Sequence, residues 1–277
     1  MGLNTSDILG DSLYRTFSRN GILLIVGVYL ASLIGTIGMS SLVLASFESL
    51  WEDLVAEEPE LADLFDNGPD AFLPLAFDLP GSVSLFLVAL SAIISVVLLA
   101  VAVRVFHGGL DDELPAEVVF DNIAWVGVNL FVGGIIFGLL WFAGLVLFVI
   151  PGIIVFVFLI YFIAAVAVED RNFIDAFARS AGVTKGERVG VFVLFLAVWL
   201  IMIAASVAFA IVASFFMLVS PILAELVELV AQSIVTVYFA AVVAVSYRAL
   251  TTPEEPDESA EEDPFDEFTP ASQSTQR

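Results

Sequence analysis

The chain of 277 residues is 60 % hydrophobic, whereas soluble domains average roughly 45–50 %. Charged residues make up only 15 %, yet 32 acidic against 9 basic residues give a net charge of −23. This composition excludes an ordinary soluble enzyme, a nucleic-acid-binding protein with a basic face and a disordered chain. The absence of cysteine and the single histidine, His107, also exclude a disulfide framework, a thiolate nucleophile and a multi-histidine metal site.

Six segments are apolar over the length that a helix needs to cross a bilayer, which is about 20 residues. They contain only three charged residues: Arg104, Glu225 and Glu228. Continuous apolar runs of this kind lack the alternation of membrane β-strands. We therefore expect an all-α polytopic membrane protein with a membrane domain over residues 21–248 and spans at 21–45, 82–106, 123–148, 152–168, 190–218 and 222–247.

Two proline-containing pairs divide the longest apolar runs. Pro151-Gly152 interrupts residues 123–168, a run far too long for one crossing, and Ser220-Pro221 separates the fifth span from the sixth. Because proline cannot continue a helix and glycine tolerates a tight reversal, each pair predicts the turn of a helical hairpin.

Short amphipathic stretches precede each pair of spans, at residues 7–20, 114–122 and 172–182. Their apolar side chains recur on one helical face, as in helices that lie in the plane of a membrane surface. The predicted architecture is three helical hairpins, each preceded by a short cytoplasmic interfacial helix. Residues 1–20 form the first of these lead-in segments.

All nine basic residues fall on one side of this six-span topology: Arg15, Arg19, Arg104, Arg171, Arg179, Lys185, Arg188, Arg248 and Arg277. The segments on the other side contain no lysine or arginine. By the positive-inside rule, we expect a multi-pass protein of the plasma membrane with cytoplasmic N- and C-termini.

Acidic residues concentrate in two places outside the spans. The predicted outer loop, residues 46–81, carries ten of them, and residues 253–277 carry nine within a predicted disordered cytoplasmic tail, 249–277. High acidity with a single lysine is typical of proteins in concentrated salt, where screening suppresses self-repulsion, so we expect a halophilic source. Capture of divalent cations by the outer loop is the alternative.

The same outer loop has apolar side chains at helical spacing, interrupted by Pro59. This pattern predicts two short amphipathic helices on the outer face, or a lid over the bundle. The residues are Phe47, Leu50, Trp51, Leu54, Leu61, Leu64 and Phe65.

The sixth predicted span carries a polar stripe on one helical face, formed by Glu225, Glu228, Gln232 and Thr236. Ionised carboxylates inside a membrane are costly unless they face water or a partner, which makes the stripe a candidate proton relay or cation site. Alternatively, both glutamates are solvated in the headgroup region. Asn129, Ser84, Ser91 and Ser95 are expected to line the same interior or to bond between helices.

Basic side chains near the cytoplasmic ends of spans are candidate contacts for lipid phosphate. Arg104 and His107 lie one turn apart at the end of the second span. Arg179, Lys185 and Arg188 lie between the fourth and fifth spans, where the positive-inside rule alone also accounts for them.

A motif string around the fourth span resembles the membrane domain that is fused to some glycerophosphodiester phosphodiesterases, and several uncharacterised six-span families. Ile150-Pro151-Gly152-Ile153-Ile154 opens the span, Glu169-Asp170 closes it, and Asp175-Ala176-Phe177-Ala178-Arg179-Ser180 leads through Thr184-Lys185-Gly186 into the fifth span. The resemblance implies a six-helix membrane domain, with Pro151, Gly152, Ser180 and Gly186 as family-like positions, and a haloarchaeal source. Residues for the phosphodiesterase domain are missing, so it implies a stand-alone membrane domain.

No catalytic motif is present in the sequence, so we expect a non-enzymatic protein without cofactor or metal. The leading expectation is a scaffold or accessory domain for lipid-linked or envelope processes. The alternative is a small-solute or lipid transporter with a polar site on span six. Expected partners are the lipid bilayer and an unidentified membrane or cytoplasmic protein, with no nucleic acid, and the sequence leaves the oligomeric state open.

Overall fold

The computed structural model describes residues 3–57 and 73–252; 85 % of these residues are helical and none lies in a strand. Six helical segments are long and apolar enough to cross a membrane, which confirms the all-α polytopic architecture. Ten helices form within the described ranges: α1 Thr5–Thr16, α2 Arg19–Glu57, α3 Gly81–Gly108, α4 Ala116–Phe120, α5 Ile123–Leu147, α6 Val149–Leu159, α7 Phe162–Glu169, α8 Phe173–Val183, α9 Arg188–Met217 and α10 Pro221–Thr251.

The first span differs from its predicted end. Helix α2 continues without a break to Glu57, so the start of the predicted outer loop, residues 46–57, extends this helix and is not a separate surface helix. Charges mark where a helix leaves the hydrocarbon, but they do not end the helix. The predictions for Leu61, Leu64 and Phe65, and for residues 253–277 of the tail, lie outside the described residues.

The hairpin between the third and fourth spans turns at Phe148, three residues before the predicted Pro151-Gly152 pair. Phe148 has extended backbone angles, and Pro151 lies in the first turn of α6. Proline fits there because the first backbone N–H groups of a helix have no intrahelical acceptor. At the other predicted turn, Ser220 is extended and Pro221 begins α10.

Glycine allows the two arms of this hairpin to touch. A Cβ placed on Gly144 would lie 2.8 Å from the Cα and N atoms of Gly152. Such a distance is too short for a Cβ atom, so the close packing of the two helices requires glycine at both positions. This contact gives Gly152 of the family-like motif a packing role.

The α2–α3 hairpin also relies on small residues. A Cβ on Gly35 would lie 2.4 Å from Oγ of Ser91, and this hydroxyl donates to the carbonyl oxygen of Ala31 at 2.8 Å. Small residues let membrane helices approach closely, and a serine bond across the contact fixes their register.

Short helices precede all three pairs of spans, as the sequence predicted. Helix α1 buries Ile8 against the bundle and exposes Leu13 and Tyr14. Helix α4 is only five residues long. Helix α8 begins at an N-cap, where the side chain of Asn172 accepts hydrogen bonds from two backbone N–H groups.

The bundle is packed most tightly at one end, which we call the basic end because Arg15, Arg104, Arg179 and Arg248 gather there. Buried residues fill α3 over residues 100–106 except Arg104, all but the last two residues of α7, and α10 over residues 237–247 except Phe239. The opposite end, with the turns at Phe148 and Ser220, is the turn end. Its half of α9 is mostly exposed.

Candidate functional site

A carboxylate hub joins four segments at the basic end. Glu169, the last residue of α7, accepts hydrogen bonds from the Tyr247 hydroxyl at 2.5 Å, from Nε of Arg179 at 3.0 Å and from Nε of Arg171 at 2.5 Å. Burial alone would lower the pKa of Arg179, but the adjoining Glu169 carboxylate outweighs burial and raises it. The hub therefore holds α7, α8 and α10 together through charged hydrogen bonds.

Arg104 is a second connection at the same end. Its Nε donates to the carbonyl oxygen of Ala167 at 2.6 Å, and its Nη1 donates to those of Val118 at 3.2 Å and Asp121 at 2.6 Å. Its Nη2 pairs with Asp170 at 3.1 Å. The three carbonyls lie at the C-terminal ends of α4 and α7, where backbone oxygens lack helical partners, so Arg104 caps two helices at once.

Few of the hydrogen-bond donors of Arg104 remain free to bind a lipid phosphate. Four of its five N–H groups are bound to the protein, and only 9 % of its side chain is exposed. His107 lies nearby with its Nδ1 buried and without a partner among the described residues. Both residues line an open cleft of about 320 Å³ whose polar wall also includes Glu117, Asp121 and Asp170.

The other predicted lipid contacts have different surroundings. Arg179 is bound to Glu169, Lys185 is exposed, and the Arg188 guanidinium lies 4.2 Å from the centre of the Phe158 ring. Exposure leaves Lys185 available to a lipid headgroup, whereas Arg179 and Arg188 also bind the protein itself.

The family-like motif positions serve the docking of α8. Ser180, fully buried, donates its hydroxyl proton to the carbonyl oxygen of Phe158 at 2.7 Å. Gly186 has a φ of +102°, a left-handed value that favours glycine, at the turn into α9. Together with Pro151 and Gly152 at the hairpin, these residues build the fold, and none of them lines the cleft beside Arg104.

A partly open polar cavity of about 210 Å³ lies between α2, α3 and α10, and three of the polar side chains that line it, those of Ser95, Gln232 and Thr236, are exposed. Its polar side chains are Ser32, Ser95, Gln232 and Thr236, and the remaining lining is apolar. Ser32 lies about 20 Å along α2 from Arg19, and Ser95 about 20 Å along α3 from Gly108, at ~1.5 Å per residue. The cavity is therefore near the middle of the membrane.

Most of these polar groups have no partner in the protein. The Thr236 hydroxyl donates to the Gln232 carbonyl oxygen at 2.8 Å. The side chains of Ser32, Ser95 and Gln232 make no hydrogen bond to the part of the chain that the structure describes. Unsatisfied polar groups in hydrocarbon cost several kcal/mol each, so this site requires water or a polar ligand.

The predicted stripe on the sixth span is thus divided. Gln232 and Thr236 line the cavity, whereas Glu225 and Glu228 lie nearer the turn end and do not. Glu228 is exposed and Glu225 is half-buried. The hydroxyl of Ser32 was missed by sequence reasoning, because nothing along α2 indicates which face meets α10.

The remaining interior polar residues are distributed differently from the prediction. Only Ser95 joins the stripe, since Ser91 bonds to α2 and Ser84 is buried without a partner in the described ranges. Asn129 donates to the Trp125 carbonyl oxygen and accepts from the backbone N–H of Phe173, so it anchors the start of α8. Over residues 3–57 and 73–252, no group of three or more His, Cys, Asp or Glu side chains is placed to hold a metal ion.

These features define a six-span helical membrane protein with a polar cavity at mid-membrane depth. Residues 3–250 match the family model described as a domain of unknown function, DUF7847, and the chain belongs to this family. No curated protein and no solved structure matches the chain.

Proposed function

We propose that this protein is a membrane transporter for a small polar solute, with the polar cavity between α2, α3 and α10 as its binding site. The observation that carries the proposal is the set of unpartnered polar groups on Ser32, Ser95 and Gln232. Three helices place these groups at the same depth, where lipid cannot satisfy them. A polar solute or water that fills the cavity would supply the missing hydrogen bonds.

The cavity lining favours an uncharged solute. It contains hydroxyl and amide groups and no charged side chain. Its volume of about 210 Å³ corresponds to about seven water molecules at ~30 Å³ each. Small polyols and amides have this size and hydrogen-bonding character, whereas an ion would need compensating charge.

Access to the cavity is easier from the turn end. Glu228, one helical turn from Gln232, is exposed and extends the polar surface in that direction. Towards the basic end, the fully buried side chains of Ala241, Val242 and Ala244 follow on α10. Transport through the packed basic end therefore requires a conformational change there.

The experiment that tests this function is osmotic swelling of proteoliposomes in glycerol and in urea. Ser95→Val places a methyl group in the cavity and removes a hydroxyl, and we expect swelling to fall to the rate of protein-free liposomes. The matched control is Ser214→Val, because Ser214 lies in a span but bonds to its own helix at Ile211. Equal swelling by both variants, or no swelling by the wild-type protein, would contradict the proposal.

We also propose a non-enzymatic protein of the plasma membrane with both termini in the cytoplasm, supported by the gathering of basic residues at one end. The chain lacks cysteine, so single cysteines report sidedness cleanly. In intact cells, an impermeant maleimide should label Ser220→Cys at the turn end and leave Thr252→Cys unlabelled. The reverse pattern would overturn the orientation.

A scaffold or accessory role for lipid-linked or envelope processes is the second proposal. The observation that favours it is an open edge of α5, where a Cβ on Gly134 or Gly138 would meet nothing within 4 Å. Small residues of this spacing let another helix approach. A protein that co-purifies stoichiometrically with the wild type but not with Gly134→Leu would support the scaffold role over transport.

A further inference from the structure

An apolar groove of about 550 Å³ lies between α3 and α5, on the surface of the bundle. Small residues form part of its lining, among them Ala92, Ala124 and Gly127. Its rim includes Ile93, Val128 and Phe131, whose side chains are 64 %, 60 % and 51 % exposed. Because α3 and α5 both span the membrane, these exposed apolar side chains face hydrocarbon, and the groove opens laterally into the bilayer.

The groove adjoins the polar cleft at the basic end. The two cavities have neighbouring walls, since Asp121 lines the cleft and Ile123, two residues later, lines the groove. On α3, Arg104 in the cleft and Ala89 in the groove are about 22 Å apart at ~1.5 Å per residue. One leaflet including its headgroup region is about 20–22 Å thick, half of the ~40–45 Å bilayer, so the pair of cavities fits one lipid from headgroup to chain.

We propose that this groove and cleft form a specific binding site for one bilayer lipid, with an acyl chain between α3 and α5 and the headgroup beside Arg104. The groove is too apolar to hold water, and apolar cavities of this kind accept hydrocarbon. The site is separate from the solute cavity and does not depend on the proposed transport function.

The charges of the cleft select the headgroup. Arg104 is paired with Asp170, whereas the carboxylates of Glu117 and Asp121 form no ion pair within the described part of the chain. The excess of negative charge favours a headgroup that carries an ammonium group and disfavours a purely anionic one. The lipid is therefore zwitterionic with an amine head.

The test is native mass spectrometry of the full chain from nanodiscs of equimolar phosphatidylethanolamine and phosphatidylglycerol. We expect one phosphatidylethanolamine to remain bound under activation that strips the other lipids. Gly127→Leu fills the groove and should lose this lipid. Gly134→Leu is the matched control: both glycines lie on α5 with nothing within 4 Å of a Cβ, but only Gly127 lines the groove.

Three results would overturn the proposed lipid site: no retained lipid in the wild type, a dimer of the chain without lipid, or equal retention of lipid by both glycine variants. Retention of phosphatidylglycerol in preference would overturn the headgroup assignment. The double variant Glu117→Gln with Asp121→Asn should keep the bound lipid and lose the preference, and circular dichroism checks that each variant is folded.

Discussion

Replacing Arg104 by methionine removes a side chain that joins the ends of α3, α4 and α7. Methionine matches the aliphatic stem of arginine, so the change chiefly deletes the guanidinium. It leaves the carbonyl oxygens of Ala167, Val118 and Asp121 without their donor, and Asp170 without its positive partner.

The expected cost follows from the burial of this group. Hydrogen bonds to charged groups contribute about 1.5–3 kcal/mol each, and four of them in one cluster are not additive. Removing one partner of a buried pair typically costs about 3–5 kcal/mol. Since the Arg104 side chain is 9 % exposed but that of Asp170 is 38 % exposed, the pair is only partly buried, and we expect a loss of about 2–3 kcal/mol, below the range for a fully buried pair.

The free energy of unfolding can be measured by steric trapping in lipid bicelles, with biotin labels on two introduced cysteines, which the natural chain lacks. The matched control is Arg171→Met. Its side chain is 43 % exposed, and its partner Glu169 keeps Arg179 and Tyr247. Exposed ion pairs contribute about 0–1 kcal/mol, so the control should stay close to the wild type.

A loss below about 1 kcal/mol for Arg104→Met, or a loss equal to that of Arg171→Met, would refute the capping role. In that case, water or lipid headgroups would satisfy the carbonyl oxygens as well as Arg104 does.

Two further substitutions are measured in the same way. Gly144→Ala should destabilise the α5–α6 hairpin by about 1–3 kcal/mol, because the added Cβ would clash with the backbone of Gly152. The control Gly138→Ala, where a Cβ would meet nothing within 4 Å, should leave the stability unchanged, and equal effects of the two substitutions would contradict the packing argument. Tyr247→Phe should cost about 1.5–3 kcal/mol through loss of the bond to Glu169, and an unchanged stability would show that the hub does not need the hydroxyl.

Most of the fold could be predicted from the sequence because a membrane span is recognised from the composition of one continuous segment. A helix in lipid must be apolar over its whole crossing, so counting residues finds it without knowing its neighbours. The ends are harder to predict. Proline at Pro151 marks the first turn of the new helix and not the reversal at Phe148, since a helix start tolerates a missing N–H.

The candidate site could be predicted only in part. Periodicity places Gln232 and Thr236 on one face of α10, which needs no tertiary information. Ser95 is one of three serines of the second span that the sequence predicts in the same interior, but which of the three lines the cavity depends on how the helices pack. Ser32 was missed, because a lone serine in a span carries no such signal. The same limit applies to the division of the stripe, in which Glu228 lies beyond the cavity.

The role of Arg104 shows a similar limit. A single arginine at the end of a span predicts a side chain that reaches for the membrane surface. The structure instead supplies carbonyl oxygens at the ends of α4, the next helix along the chain, and of α7, where Ala167 lies 63 residues from Arg104. The acceptor on α7 comes within reach only after the hairpins have packed.

Whether water reaches the intramembrane cavity is measured most directly by cysteine reactivity in proteoliposomes. A small water-soluble thiosulfonate reacts with thiolates, which form only where water is present. Ser95→Cys lines the cavity, and Ser91→Cys lies one turn away on α3, buried against α2. We predict rapid modification of Ser95→Cys and none of Ser91→Cys; no reaction at Ser95→Cys, or equal reaction at both, would contradict a hydrated polar site inside this membrane bundle.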